Sequence, residues 1–476
     1  MKRLLLLLSV LFAAPLAARV SMPSVFSDGM VLQRQSTVRI WGNTDSEARV
    51  SLSTSWDGKY YSCTPASNGN WSVSVTTPEA GGPYSITIDD GERLQIKDIL
   101  IGEVWICSGQ SNMVMTFKGY PTQPVENAAE FIMDSPDYDV HAFTVNRAAL
   151  DSPASNCAGK WVRCDVETLP DVSAVAYLFA RRIQHTLGVP VGIIVSAWGG
   201  TSILGWTPEA VIDRSISTEE KEAILKYCSQ PKDKPGVLFN GMIAPIAGYV
   251  AKGFLWYQGE ANVNTPVAYG KVLKAMIASW REAWGDKKHA MPFYAVEIAP
   301  YRYGRGNDLK FDRPLTVEAT VKALAAAGNA ALIPTGDVGD AVVIHPSRKK
   351  EVGDRLAMFA LKNQYGFRSI ECNPPSVKRI EYKGGKAYVY TSENEMVAGT
   401  AVIAGFEIAG KDECYYPAKG LCDRKNGFIE LSSPDVPDPV AVRYGFHNYI
   451  PQTFVSWMGV PALPFRTENW DYTNQE

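Results

Sequence analysis

Ile99-Leu100-Ile101-Gly102-Glu103-Val104-Trp105-Ile106-Cys107-Ser108-Gly109-Gln110-Ser111-Asn112-Met113 is the stretch on which the fold turns. From Ile99 to Cys107 it is apolar almost without a break, as in a strand buried on both faces of a sheet. Gly109 then interrupts the run, and Ser111 stands at a strand-to-helix turn. Cys107, at the end of the apolar segment, reads as a buried free thiol.

Downstream, buried strands and amphipathic helices alternate. Ser173 is placed to cap a helix through Tyr177, Phe179 and Ile183 that ends near Gly188. Val189 to Val195 and Phe254 to Tyr257 read as strands, the second followed by a helix from Tyr269 to Trp284. Phe293 to Val296 and Ala331 to Pro334 complete the set. Pro346 reads as the start of a helix through Lys349 and Arg355. Residues 99–372 therefore imply an α/β unit, a mostly parallel sheet covered by helices on both faces. Upstream, residues 19–98 carry short alternating runs such as Thr37-Val38-Arg39-Ile40-Trp41 and Trp71-Ser72-Val73-Ser74-Val75, the pattern of an antiparallel β domain. After Asn373-Pro374-Pro375, β character returns in Ala387 to Tyr390, Gly405 to Ile408 and Val440 to Tyr444. Residues 373–476 thus read as a second β module, or as strands completing the first.

Composition narrows the function. A formal net charge of −3 gives no basic field, so nothing favours nucleic acid or an anionic membrane surface as partner. Lys2-Arg3, the apolar run Leu4 to Phe12 and the small-residue end Ala13 to Ala18 have the layout of a secretory signal peptide over residues 1–18, too short to span a bilayer. Export to a bacterial periplasm, cell surface or medium is the expectation, with no membrane insertion. Eight cysteines in an exported chain permit disulfides, and the Cys157/Cys164 and Cys414/Cys422 spacings suit small closed loops. The absence of C-x-x-C and H-E-x-x-H runs, with only five His, argues against a metal site. The 12 Trp and 22 Tyr exceed what a core needs, and such rings serve as platforms in sugar clefts. Oligomeric state is left open.

In an open parallel sheet, ligands bind beyond the carboxyl ends of the strands. Four strand ends here run into polar, Gly-rich segments: Gly109-Gln110-Ser111-Asn112, Trp198-Gly199-Gly200-Thr201, Gln258-Gly259-Glu260-Ala261-Asn262, and Gly336-Asp337-Val338-Gly339-Asp340 with Ile344-His345-Pro346. Acyl transfer needs a nucleophile, a base and donors for an oxyanion. Ser111 suits the first role and His345 the second. The N–H of Ser111, helped by a helix N-terminus, the N–H of Gly200 (or Gly199) and the Asn262 amide suit the third. Singly, each residue has an ordinary use as turn former, cap or loop hydrogen-bonder; their joint placement points to catalysis.

These blocks resemble those of the SGNH hydrolases and, more narrowly, the sialate O-acetylesterase family. The resemblance extends from Val25-Phe26-Ser27-Asp28-Gly29-Met30 to Gly459-Val460-Pro461-Ala462-Leu463-Pro464. It implies a flavodoxin-like three-layer sandwich flanked by N- and C-terminal β-sandwich-type modules. It also implies a Ser111–His345 esterase needing no cofactor, with oxyanion donors from Ser111, Gly200 and Asn262. The implied partner is an O-acetylated sialic acid or related glycan, and Gln110, Trp198, Gln258 and Glu260 are the candidate substrate contacts. The missing G-x-S-x-G elbow agrees with this and separates the chain from ordinary α/β-hydrolases. One position departs from the wider pattern, which has Asp three residues before the His: here it is Val342. Asp340 is the candidate orienting acid, Asp337 lies further back, and a backbone carbonyl in a Ser–His dyad is the alternative. An acetylxylan esterase of the same superfamily, or a non-catalytic carbohydrate-binding protein, are the rival readings.

Overall fold

A computed structural model of the chain describes residues 20–303, 310–391, 402–423 and 425–470. The export segment read over residues 1–18 lies outside them. Six strands come first: β1 (Val31–Gln33), β2 (Thr37–Asn43), β3 (Val50–Thr54), β4 (Tyr60–Cys63), β5 (Asn70–Thr76) and β6 (Gly81–Asp89). β2 pairs with β5 and β3 with β4 and β6, all antiparallel. Alternate residues of both sheets, among them Val38, Ile40, Val73, Leu52 and Ile88, share one core.

β7 (Arg93–Gly109) joins this part to the rest. Its first half pairs antiparallel with β6 and is largely exposed, while everything from Ile101 to Gly109 is buried. The change follows the sequence, where mixed polarity gives way to the apolar run. In that second half successive side chains go to opposite faces. Val104 and Ile106 enter one core, Trp105 and Cys107 the other.

The remaining strands of the central sheet are β8 (Val140–Thr144), β9 (Trp161–Arg163), β10 (Val191–Ala197), β11 (Gly253–Tyr257), β12 (Phe293–Val296) and β13 (Ala330–Ile333). The order is β13-β12-β11-β7-β10-β8-β9, with every pair parallel except β8–β9. Leaving aside the appended β8 and β9, strands β7, β10, β11, β12 and β13 stand in the order 2-1-3-4-5, with the switch point between β7 and β11. The expected parallel α/β sheet is borne out.

Helices cover both faces. In chain order they are α1 (Ser111–Val114), α2 (Ala128–Met133), α3 (Ala174–Leu187), α4 (Glu209–Ser215), α5 (Thr218–Tyr227), α6 (Pro266–Ala283), α7 (Asp312–Ala327) and α8 (Lys349–Tyr365). α3 and α8 pack on the Trp105 face, α6 and α7 on the Ile106 face. Ser173 caps α3 through its side chain, and Gly188 ends it at φ 66°. α8 starts at Lys349, three residues later than Pro346 suggests, because Arg348 (φ −76°, ψ 61°) is not helical.

Beyond residue 376 the described strands form a five-stranded and a four-stranded sheet around a third core that includes Val389, Phe406, Ile429 and Tyr444. Neither suggested disulfide is closed: Cys157 and Cys164 are separate buried thiols, and Cys414 carries an exposed free thiol rather than a bond to Cys422. Cys107 is the buried free thiol expected. No helix among the described residues is long and apolar enough to cross a membrane.

Candidate active site

β7, β10 and β11 end level, with Gly109 opposite Ala197 on one side and Tyr257 on the other. One further bond on each side, Trp198 N–H to Gly109 O (3.0 Å) and Gln110 N–H to Tyr257 O (2.9 Å), carries the lacing past the sheet. Gly109 permits this closeness. At φ +135°, a Cβ there would lie 2.1 Å from the Tyr257 carbonyl oxygen. The three following segments therefore leave the sheet side by side, at the switch point.

Ser111 opens the single-turn helix α1, and His345 Nε2 lies 2.9 Å from its Oγ. The other ring nitrogen, Nδ1, is 2.6 Å from Gln123 Oε1. An amide oxygen only accepts, so Nδ1 carries the proton and Nε2 presents its lone pair to the serine hydroxyl. Gln123 belongs to a tight turn, Tyr120–Gln123, closed by reciprocal backbone bonds, with Thr122 in the left-handed region at φ 63°. The same turn sets the Tyr120 ring against His345 (centroids 4.7 Å apart), and the Tyr120 hydroxyl donates to Ser111 O (3.0 Å). Half-burial and the nearby Lys349 ammonium hold the imidazole down at about 4, so it is neutral at neutral pH.

Asp340 is not the orienting group. Its Oδ1 accepts the N–H groups of Val342 (2.7 Å) and Val343 (3.0 Å), making it the former of its own turn. Asp337 is also committed elsewhere, in a two-pronged pair with Arg355 (2.7 Å on both arms).

The loop after β10 lies against the nucleophile, since a Cβ on Gly199 would sit 3.3 Å from Ser111 Cβ. Among the described residues the N–H groups of Ser111 and Gly200 have no protein acceptor. α1 is only one turn long, so the macrodipole help expected of a longer helix is small. The Asn262 amide is fixed by Ile203 N–H (3.1 Å) and Gln258 Nε2 (2.8 Å) on its oxygen, while its nitrogen donates to Ser202 Oγ (3.2 Å). Among the described residues that nitrogen has no second acceptor.

Of the four candidate substrate contacts, only Trp198 is partly open. Gln110, Gln258 and Glu260 are buried framework. Gln110 Oε1 accepts from Gly259 and Ala261 N–H, and Gln258 ties Asn262 to the Thr201 carbonyl. Glu260 accepts from Asn112 Nδ2 (2.7 Å). Asn112 is the hub of the site: its nitrogen also donates to Ile344 O (3.2 Å), and its oxygen accepts from the buried Lys349 Nζ (2.6 Å). One amide beside the nucleophile thus grips the chain on both sides of His345. Burial pushes the Glu260 carboxyl up and brings Lys349 down to about 7.

Sequence reasoning missed Gln123, Tyr120 and Lys232, which stands beside the loop after β10. Gln123 sits in a loop beyond α1 and carries no charge, so a search for an acid passes over it. The Pro121-Thr122 turn is its only local signal.

A serine facing an imidazole at the switch point of a parallel sheet, with backbone donors beside it, is the arrangement of an α/β-type hydrolase. The comparisons with known proteins narrow the class. Residues 101–362 match the family described as carbohydrate esterase, sialic acid-specific acetylesterase. A solved carbohydrate acetylesterase from Xanthomonas citri superposes with a TM-score of 0.85 at 30% identity, covering 95% of this chain and 100% of that one. The sialate O-acetylesterase of Pongo abelii is 27% identical over 87% of this chain and 82% of its own length, and that of Homo sapiens 27% identical over 75% and 73%. The chain belongs to the sialic acid-specific acetylesterase family of carbohydrate esterases and is a carboxylic ester hydrolase.

Proposed function

We propose that the chain removes O-acetyl groups from sialic acids or related glycans by acyl transfer through Ser111. The 2.9 Å contact between His345 Nε2 and Ser111 Oγ carries this reading, because it gives the hydroxyl proton somewhere to go. His345 takes that proton as Oγ attacks the acetyl carbonyl. The N–H groups of Ser111 and Gly200 and the Asn262 amide hold the resulting oxyanion. The sugar alcohol leaves with the proton from His345, and water, activated the same way, releases acetate from acetyl-Ser111. Gln123 stands in the acid's place and fixes the ring tautomer without adding charge.

A sugar bearing a carboxylate is favoured over a neutral one. Arg147, exposed, and Lys232 each sit 5.8 Å from the centre of the Trp198 ring, making the rim beside the nucleophile cationic. In this reading the β parts before and after the central sheet are sandwich-type flanks, and the N-terminal segment exports the enzyme to the periplasm or cell surface.

The test is acetate release from acetylated sialic acid and from acetylated xylan. Ser111→Ala is expected to abolish both, a loss of at least about 10⁴-fold. Asn262→Ala should lose about a hundredfold in kcat. Residual wild-type-like release by Ser111→Ala overturns the mechanism, and faster release from xylan overturns the preference for an acidic sugar.

A further inference from the structure

The Gly199–Gly200 peptide group is gripped from behind. Its carbonyl oxygen, on Gly199, accepts a hydrogen bond of 2.8 Å from Lys232 Nζ. Its N–H, on Gly200, is the donor assigned to the oxyanion. No cis bond is found here, so the two dipole ends point in opposite directions within one plane. Whatever fixes the carbonyl fixes the N–H. Gly200 needs such fixing, because at φ 62° in an exposed loop a glycine has other conformations open to it.

The turn that carries Lys232 is anchored. It is a short 3-10 turn, Pro231–Asp233, whose Asp233 is buried and accepts from Ser202 N–H (2.9 Å) and Gln230 N–H (3.2 Å). The turn therefore meets the loop after β10 at two points, Gly199 O and Ser202 N–H. Lys232 forms no ion pair among the described residues, so no carboxylate there offsets its charge, and that charge also reaches the peptide it touches. A cation on the carbonyl polarises the amide and strengthens its N–H as a donor.

We propose that Lys232 is a positioning residue for the oxyanion site, aligning and polarising the Gly199–Gly200 peptide so that the Gly200 N–H bonds best when negative charge develops on the acetyl oxygen. This rests on the acyl-transfer reading above. An interaction felt mainly in the transition state lowers kcat when removed and leaves KM in place.

The experiment compares kcat, KM and melting temperature for wild type, Lys232→Met, Lys232→Arg and Asn262→Ala, with p-nitrophenyl acetate as the probe. It adds the inhibition constant of a boronic acid that forms a tetrahedral anion on serine. Lys232→Met is expected to lose about tenfold in kcat, with KM within about twofold and boronate affinity falling in proportion to kcat/KM. Lys232→Arg, which keeps donor and charge, should regain most of the loss. Unchanged kcat in Lys232→Met, or a rise in KM alone, overturns the proposal. So does a kcat loss without the parallel loss of boronate affinity. If Asn262→Ala costs its hundredfold while Lys232→Met costs nothing, only the role of Lys232 falls. If both variants keep full turnover, the oxyanion assignment itself is wrong.

Discussion

Glu407 and Glu260 are both buried carboxylates, and the molecule treats them in opposite ways. Glu407, in the C-terminal β part, is clasped by Arg443 (2.7 and 3.0 Å) and His447 (2.9 Å). Burial works against its ionisation, but His447 and Arg443 outweigh it and bring the carboxyl to about 2. Glu260, under the active site, touches no cation directly among the described residues. Its hydrogen-bonded link to Lys349 runs through the Asn112 amide, and its Oε2 has no hydrogen-bond partner among the described residues. A fully satisfied network serves the fold, whereas a half-satisfied one is costly and is tolerated where it holds a site in shape. The pH signatures have opposite signs. Glu407 stabilises the fold above the ordinary carboxylate value of 4.5, and that contribution is lost as pH falls towards 2. Glu260, pushed up, opposes folding wherever it must ionise.

Arg443→Met gives the larger expected effect on this contrast. Leaving Glu407 buried without its arginine partner should cost about 3 kcal/mol in urea unfolding, while activity per folded molecule stays unchanged. A stability loss well under about 1 kcal/mol would place Glu407 with ordinary surface pairs and break the comparison. Glu260→Gln is expected to do less. Gln still accepts from Asn112 and removes a poorly compensated buried charge, so stability should hold or rise, and kcat should fall by less than about tenfold. Unfolding of this variant would show that the carboxylate is a main support of the fold, like Glu407.

The fold was legible to the extent that burial was. The unbroken apolar run before Cys107 announced a strand covered on both faces, and Ser173 and Gly188 marked both ends of α3 through local backbone chemistry. The start of α8 was misplaced because Pro346 fits a first turn equally well in a loop. Within the site, the placement of Ser111, Gly200, Asn262 and His345 was legible because each lies in a segment that follows a strand of one sheet. Asp340 was misread because an acid near a histidine in sequence is as easily a turn former, which is what its bonds to Val342 and Val343 make it. Gln123 was illegible: its meeting with His345 is a tertiary contact across 222 residues, made by a neutral side chain. Gln258 and Glu260 looked like substrate contacts because buried framework amides and carboxylates share their residue types with binding groups.

The central claim is that His345, oriented by an uncharged amide, is the base for Ser111. It is tested most directly by the pH dependence of kcat/KM, which reports the free enzyme's ionisations. Burial and Lys349 hold His345 at about 4, so wild type should keep its activity in mild acid and lose it only as pH falls through about 4. Gln123→Glu puts a carboxylate on Nδ1, which favours the imidazolium, and should move that acid limb up by about a unit or more. A wild-type limb near the ordinary histidine value of 6.5, or a limb that stays in place in Gln123→Glu, would contradict the account.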